Sequence, residues 1–419
     1  MRRRLFLQSV SVAGALPLAG RAAPAAAPAV NAPLLASPPV VQHLDAHGFT
    51  VSIRVHRLAT ARVEWGAAPD RLDHIAQAAR HGLVSADDQA LLLPVRFPAP
   101  QPPGSTVHYR VVATPLAYAS AYQLTRGEEE ATAPRALRLP DPDARSFRVA
   151  VVNDTHENAA TLDALSRRLQ ELDPELLIWN GDTCNDFDAK DSPAAILLDP
   201  GAAADSPHGG GWASTRPLLF TCGNHDVRGV RAREISRLLA AGPVPDLPWN
   251  FALRRGPLAL LGLDTGEDKP DRHPVFAGTA AYEPYRARQA AWLEEAVRAP
   301  EIANAPFKLA FCHIPLRGRP GDNPGTTLEG YAGFSGFGRE LWMPTLRRAG
   351  VAAVVSGHTH RWRVDNPTPE DPVAQWVGGG PRPEGATLIV LEATADRLHL
   401  RIEDLAGQTL AERELRAGA

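Results

Sequence analysis

A mixed α/β region behind a small all-β sandwich is the fold class this sequence predicts, on three observations. Between Pro39 and Leu139, short alternating segments are broken by Pro and Gly turns, the pattern of a small antiparallel sandwich. From Phe147 onward, apolar runs alternate with amphipathic helical patterns, as in an α/β sheet. After Thr359 the pattern becomes strands only, which implies a second sheet.

The chain opens on MRRRLFLQSVSVAGALPLAG, three arginines ahead of a moderate apolar stretch that contains Gly14 and Gly20. A membrane span needs roughly twenty strongly apolar residues, so residues 1–30 are expected to be an export signal instead. Arg3 to Gln8, R-R-L-F-L-Q, resembles the twin-arginine signal, whose route carries folded and often metal-loaded proteins, and implies a periplasmic or secreted location. The alternative is a basic cytosolic N-terminus. Small residues from Ala22 to Ala27 offer several cleavage points, and no later run is long and apolar enough to span a bilayer. Loss of Arg2, Arg3, Arg4 and Arg21 with the signal leaves 40 basic against 47 acidic side chains, about −7. That charge argues against a nucleic-acid polymer or an anionic lipid surface as partner. Three cysteines, Cys184, Cys222 and Cys312, are too few for a disulfide framework and read as small buried hydrophobes, with a Cys184–Cys222 bridge as the alternative.

The sandwich is expected over residues 38–140, from FTVSIRVHR, ARVEWGA, QALLLPVRFPA and TVHYRVVATP. Val51, Ile53 and Val55 fall on one face, with Trp65 as a core aromatic; structural support and a binding module are both open roles for it. The joint LPDPDARS, Leu139 to Ser146, separates it from the second region, residues 146–419. There, NAATLDALSRRLQELD, GVRAREISRLLAAG, YRARQAAWLEEAVRA and ELWMPTLRRAG read as helices. The first places Leu162, Leu165 and Leu169 on one face, and the third places Trp292, Leu293 and Val297 on one face. Near the C-terminus, ATAD and LAGQ read as hairpin turns between strands.

Five runs end alike: FRVAVVNDTH, ELLIWNGD, LLFTCGNHD, KLAFCH and VAAVVSGHTH. Each is a buried-strand pattern followed at once by side chains that bind hard or borderline cations. Loops leaving the C-terminal edges of parallel strands converge on one crevice, which brings Asp154, His156, Asp182, Asn224, His313, His358 and His360 within reach of one another. Gly181, Gly223 and Gly357 stand before ligands, where the chain must turn sharply beside an ion. Seven oxygen or nitrogen donors exceed one four-coordinate site and suit two metals sharing a carboxylate.

The order of these motifs, D-x-H, G-D, G-N-H-D, H and G-H-x-H, resembles the calcineurin-like metallophosphoesterase superfamily, which includes purple acid phosphatases and many bacterial phosphodiesterases. The resemblance covers Phe147 to the C-terminus. It implies a four-layer α-β-β-α sandwich, and the β-domain in front is similar to the fibronectin-like arrangement in purple acid phosphatases. It also implies Asp154, His156 and His360 as ligands of one metal, Asn224, His313 and His358 as ligands of the other, and Asp182 as the bridge. His225 is then the non-ligand histidine near the leaving group. Asp226 is expected either to orient His225 or to cap the following helix. The implied chemistry is hydrolysis of a small phosphate ester, with two cations lowering the pKa of a shared water to give a hydroxide in line with phosphorus.

Departures narrow the reading. Purple acid phosphatases carry a tyrosine three residues after the bridging aspartate; Asn185 stands here, which argues against a tyrosinate-coloured iron centre and leaves manganese, iron, zinc or a mixed-valence pair. Serine/threonine protein phosphatases carry an arginine where this chain has Cys222. Arg228 is a candidate phosphate contact or a surface ion pair. The Gly-rich stretch after His313 reads as a pocket wall or lid, with Arg317, Arg319, Tyr331 and Phe334 as candidate substrate contacts, and the loop around His208 as a second wall. Monoester and diester substrates are both open, as is the oligomeric state. The competing class is a catalytically silent binding protein on the same fold.

Overall fold

The computed structural model describes residues 33–77, 90–188, 193–200, 211–242, 244, 246–318 and 332–418. The export-signal expectation, the His208 loop, Arg319 and Tyr331 lie outside these residues. Among the described helices none is long and apolar enough to cross a membrane.

The N-terminal strands are β1 (Val40–Asp45), β2 (Gly48–Arg54), β3 (Ala59–Gly66), β4 (His74–Gln77), β5 (Ala90–Arg96), β6 (Thr106–Ser120), β7 (Gln123–Arg126), β8 (Glu130–Ala131) and β9 (Arg135–Arg138). They form one sheet ordered β1-β2-β5 and another ordered β4-β3-β6-β7, with β8 and β9 pairing β6. Val51, Ile53, Val55 and Trp65 meet Phe49, Phe97 and Tyr109 in one buried cluster between these sheets. The alternation of β2 and β3 sends every second side chain into that cluster.

The second region contributes β10 (Ser146–Val152), α1 (Ala159–Leu172), β11 (Leu176–Asn180), α2 (Pro193–Leu198), β12 (Leu218–Thr221) and α3 (Ile235–Leu238). It continues with β13 (Phe251–Arg255), β14 (Leu258–Gly262), α4 (Tyr282–Ala296), α5 (Pro300–Ala303), β15 (Phe307–Phe311) and α6 (Ala332–Arg348). The last strands are β16 (Ala353–Ser356), β17 (Arg363–Asp365), β18 (Ala374–Val377), β19 (Thr387–Thr394), β20 (Arg397–Asp404) and β21 (Thr409–Arg416). Two six-stranded sheets result, β12-β11-β10-β19-β20-β21 and β13-β14-β15-β16-β18-β17. β10, β11 and β12 run parallel, as do β14, β15, β16 and β18.

The apolar runs are continuous because both faces of each sheet are covered. Along β10, Val149 and Val151 point into the cluster between the sheets with Ile178, Leu309, Val355 and Leu391. Ala150 and Val152 point the other way, against Leu162, Leu165 and Leu169 of α1. On the far sheet, Leu261 and Ala310 face Leu293 of α4 and Trp342 and Leu346 of α6. These three clusters define four layers, α-β-β-α. Helix α1 starts where the Asn158 side chain accepts from Thr161 N, so one otherwise unpaired amide is satisfied.

Two helices differ from expectation. The segment around Ile235 makes only one α-turn after a short 3-10 turn. Leu239 leaves it in an extended conformation because that side chain is fully buried in the outer cluster. Helix α6 begins at Ala332, eight residues before the expected Glu340, so Phe334 sits in a helix and not in a loop; its side chain lies outside the described ones.

Candidate metal centre

β10, β11 and β12 of one sheet lead into Asp154 with His156, Asp182 and Asn224, and β15 and β16 of the other lead into His313 and into His358 with His360. Parallel strands end together, so these loops converge on one edge of the two-sheet stack. Asp154 (φ 48°), His156 (43°), Asp182 (53°), His358 (72°) and His360 (54°) all hold left-handed backbone, the conformation of a chain reversing within one or two residues. Gly223 and Gly357 are required by proximity. A β-carbon on Gly223 would lie 2.2 Å from Asp182 Oδ1, and one on Gly357 would lie 2.3 Å from Asp154 Oδ2.

Ligand atoms of Asp154, His156, Asp182 and His360 lie within 4.8 Å of one another, and so do those of Asp182, His313 and His358. Asp182 belongs to both groups. Asn224 joins the second group through Oδ1, 2.9 Å from His358 Nδ1. Within the first group His360 Nε2 is 3.3 Å from Asp154 Oδ1, 3.1 Å from His156 Nε2, and His156 Nε2 is 3.6 Å from Asp182 Oδ2. The structure thus brings together all seven residues read from the sequence.

The residues fit metal ions. Asp154 Oδ1, His313 Nε2 and His358 Nε2 are buried without hydrogen-bond partners; His313 Nε2 approaches Asp182 Oδ2 at 3.1 Å as an ion pair without hydrogen-bond geometry. Buried polar atoms are normally satisfied, and a cation would satisfy these. Burial, and then His313, push the His358 imidazole down to about 3, which leaves the neutral form that metal binding requires. Burial also lowers His156. Burial opposes protonation of His313, but Asp182 and Asp154 outweigh it and push His313 up to about 10; a cation beside these carboxylates would take over that role from the proton.

A surrounding shell orients the ligands. His313 Nδ1 donates to the Asn180 carbonyl at 2.9 Å, so Nε2 is turned toward Asp182. Asn180 Nδ2 donates across to Val355 O at 3.2 Å, and its Oδ1 accepts from Thr221 Oγ1 at 2.6 Å, which ties the two sheets at the ligand edge. Asn153 Nδ2 donates to Asp154 Oδ2 at 2.5 Å and to Gly379 O at 2.9 Å. Neither asparagine is a candidate from the sequence, although each directly precedes the aspartate or glycine of its motif. Asn185 Oδ1 accepts from His156 Nδ1 at 3.1 Å, and its carbonyl accepts from His225 Nδ1 at 2.6 Å.

His225 stands beside the centre, Nε2 4.0 Å from Asp182 Oδ2. Its Nδ1 faces a carbonyl, which only accepts, and its Nε2 faces Arg228 Nη1 at 3.0 Å, which only donates. Arg228 Nη1 also lies 3.3 Å from Nδ1, and the carbonyl draws the Nδ1 proton toward Asn185. Arg228 is held in turn by Glu267, through Nε to Oε2 at 2.8 Å and Nη2 to Oε1 at 2.5 Å, so the ion pair read as one alternative from the sequence is present, partly buried and beside His225.

Two expectations are corrected. The Asp226 carboxylate accepts from Asp182 N at 2.8 Å, Thr183 N at 3.0 Å, Thr183 Oγ1 at 2.6 Å and Gly223 N at 2.8 Å. It therefore clamps the two ligand loops together, and neither orients His225 nor caps the following helix. Burial, with Asp182, pushes its carboxyl up to about 6. Arg317 is 9% exposed and donates to the carbonyls of Asp365 at 2.7 Å and Asn366 at 3.3 Å; it fastens β17 and does not face the pocket. All three cysteines are free and buried, so the alternative Cys184–Cys222 bridge is absent.

A wall that the sequence does not announce runs from Asp264 to Tyr282. Gln289 of α4 brackets Asp264, accepting from its N at 2.8 Å and donating to its O at 2.6 Å. Arg286 Nε donates to Thr265 O at 2.7 Å. These bonds deliver the buried Glu267 to Arg228.

The model of the family described as calcineurin-like phosphoesterase matches residues 147–362. No curated protein sequence matches the chain. Among solved structures, the purple acid phosphatase PPD1 from yellow lupin (Lupinus luteus) seeds is similar at a TM-score of 0.64 and 13% identity, covering 90% of this chain and 74% of that one. The structure of PhoD is similar at a TM-score of 0.57 and 11% identity, covering 91% and 94%. At these identities the likeness is one of fold.

Proposed function

The chain belongs to the calcineurin-like phosphoesterase family, and on that premise we propose that it is an exported phosphoesterase that uses two metal ions to hydrolyse small phosphate esters. The observation that carries this reading is the pair of ligand groups joined at Asp182.

Asp154, His156 and His360 would hold one ion, Asn224, His313 and His358 the other, and Asp182 both. Manganese, iron and zinc all suit these oxygen and nitrogen donors. Two such ions would supply a water ionised near neutral pH and would polarise the phosphoryl oxygens. The protein supplies the rest. Arg228, fixed by Glu267, offers Nη1 to a phosphoryl oxygen entering beside His225. That exchange frees His225 Nε2, which accepts from Arg228 in the structure, to take up a proton from water and pass it to the leaving oxygen, with the Asn185 carbonyl holding the ring in place. Asp226 keeps the loops of Asp182 and Asn224 in register. Asn185, in place of a tyrosine, offers no phenolate donor at that position.

The test is hydrolysis of an aryl phosphomonoester beside the matching bis-aryl diester, using protein stripped of metal and reloaded with manganese, zinc or iron. We expect turnover of at least one ester, a loss of 10²-fold or more in Asn224→Ala and His358→Ala, and a smaller loss with an altered pH profile in His225→Ala. No turnover by protein carrying two ions would leave the silent binding protein as the reading. Export rests on the N-terminal sequence alone; replacing Arg3 and Arg4 by lysine should retain the chain in the cytoplasm, and undiminished export would remove that part.

A further inference from the structure

Beside the centre lies a cavity of about 600 Å³ that the ligands themselves do not line. Two of its walls are the loops that leave Asp182 and Asn224: residues 186 and 188 on one side and 227–229 on the other. They are joined where Phe187 N donates to Arg228 O at 2.9 Å and Arg231 N donates to Phe187 O at 2.9 Å. The third wall is the segment ending at Tyr282, which presents Phe276 and Tyr282, half-buried with ring centroids 6.2 Å apart. Arg228 belongs both to this cavity and to His225, so the cavity opens on the side of the centre where His225 stands.

Its volume is in the range of ordinary small-molecule sites, which combine apolar surface with a few placed polar groups. The charges in it are unequal. Arg228 is paired with Glu267 and Asp268, and Lys269 with Asp268 at 2.6 Å. Asp186 and Asp188 are exposed, and no basic side chain among the described residues forms an ion pair with either. An anionic group entering here meets cations already paired with acids and two exposed carboxylates, of which Asp186 accepts from Asp188 N at 3.0 Å.

We propose that this cavity receives the organic group on the leaving oxygen, and that it selects a neutral or cationic group with an aromatic or aliphatic body over an anionic one. The assignment rests on the phosphoesterase reading above. Phe276 and Tyr282 contact the body of the group, and Asp186 and Asp188 read its charge.

The experiment uses the metal-loaded full chain with phenyl phosphate, 4-(aminomethyl)phenyl phosphate and 4-carboxyphenyl phosphate, each also as its methyl diester. The ratio of kcat/KM for the aminomethyl ester to that for the carboxy ester is compared between wild type and the Asp186→Asn/Asp188→Asn double variant, which cancels the intrinsic reactivity of the leaving groups. We expect the ratio to fall about fivefold in the double variant, the size of one charge contact in a solvated site. Phe276→Ala should lower kcat/KM for all three aryl esters by about tenfold. Turnover with an unchanged ratio and no effect of Phe276→Ala would overturn the assignment. If no ester is turned over, the phosphoesterase reading itself fails, and equilibrium binding of 4-(aminomethyl)phenol then decides the cavity: binding weakened by Phe276→Ala upholds it, and no binding overturns it.

Discussion

At Gly357 a single hydrogen stands where any side chain would displace Asp154. The Gly357→Ala protein is expected to keep its circular dichroism but to lose one of two metal equivalents in elemental analysis, since the added carbon would sit 2.3 Å from Asp154 Oδ2; full metal content would show that the loop yields. Asn185 acts one shell further out. Asn185→Leu should weaken metal binding 10- to 100-fold by freeing His156, as loss of such a supporting bond typically does, while Asn185→Asp keeps an acceptor and should stay within a few-fold. A metal titration in which the two variants behave alike would remove Asn185 from the ligand shell. The clustering of the seven donor residues is legible in the sequence because they close apolar runs, a local signal. Arg317 is misread because its position after His313 suggests a pocket residue, while its partners, the carbonyls of Asp365 and Asn366, lie 48 and 49 residues away.

The strands and the longer helices follow from periodicity, but the wall from Asp264 to Tyr282 does not, because its order comes from pairings with α4 and Arg228. Asp264 shows how that wall is held. It accepts from Gly266 N at 2.8 Å and Tyr285 Oη at 3.0 Å, and burial pushes its carboxyl from 3.8 up to about 6. The folded state therefore binds this proton more tightly than the unfolded state, so the stabilisation is complete below pH ~4 and is lost as pH rises through ~6. In metal-free protein, Asp264→Asn should raise the thermal midpoint more at pH 7.5 than at pH 4, by at most about 3 kcal/mol of relative stability. An equal change at both pH values would mean that the carboxyl is not desolvated.

Residues 33–419 form one compact unit, and the β-sandwich is bound into the two-sheet stack. Val40 belongs to the cluster under α1, Val41 N donates to Ala213 O at 2.9 Å, Ala240 N donates to Gln42 Oε1 at 2.8 Å, and Tyr109 Oη donates to Ser214 O at 2.8 Å. Removing everything before Ser146 should give a chain that aggregates or unfolds without cooperativity in calorimetry; an unchanged midpoint would make the sandwich a dispensable appendage. The left-handed backbone at five of the seven ligands bears on the history of such a molecule. Each such residue costs about 1 kcal/mol or more relative to glycine there, so a lineage released from holding metal would gain stability through glycine or asparagine at these positions. Two aspartates and three histidines occupy them here, so on the proposed two-metal reading the site is held at the expense of a more stable fold.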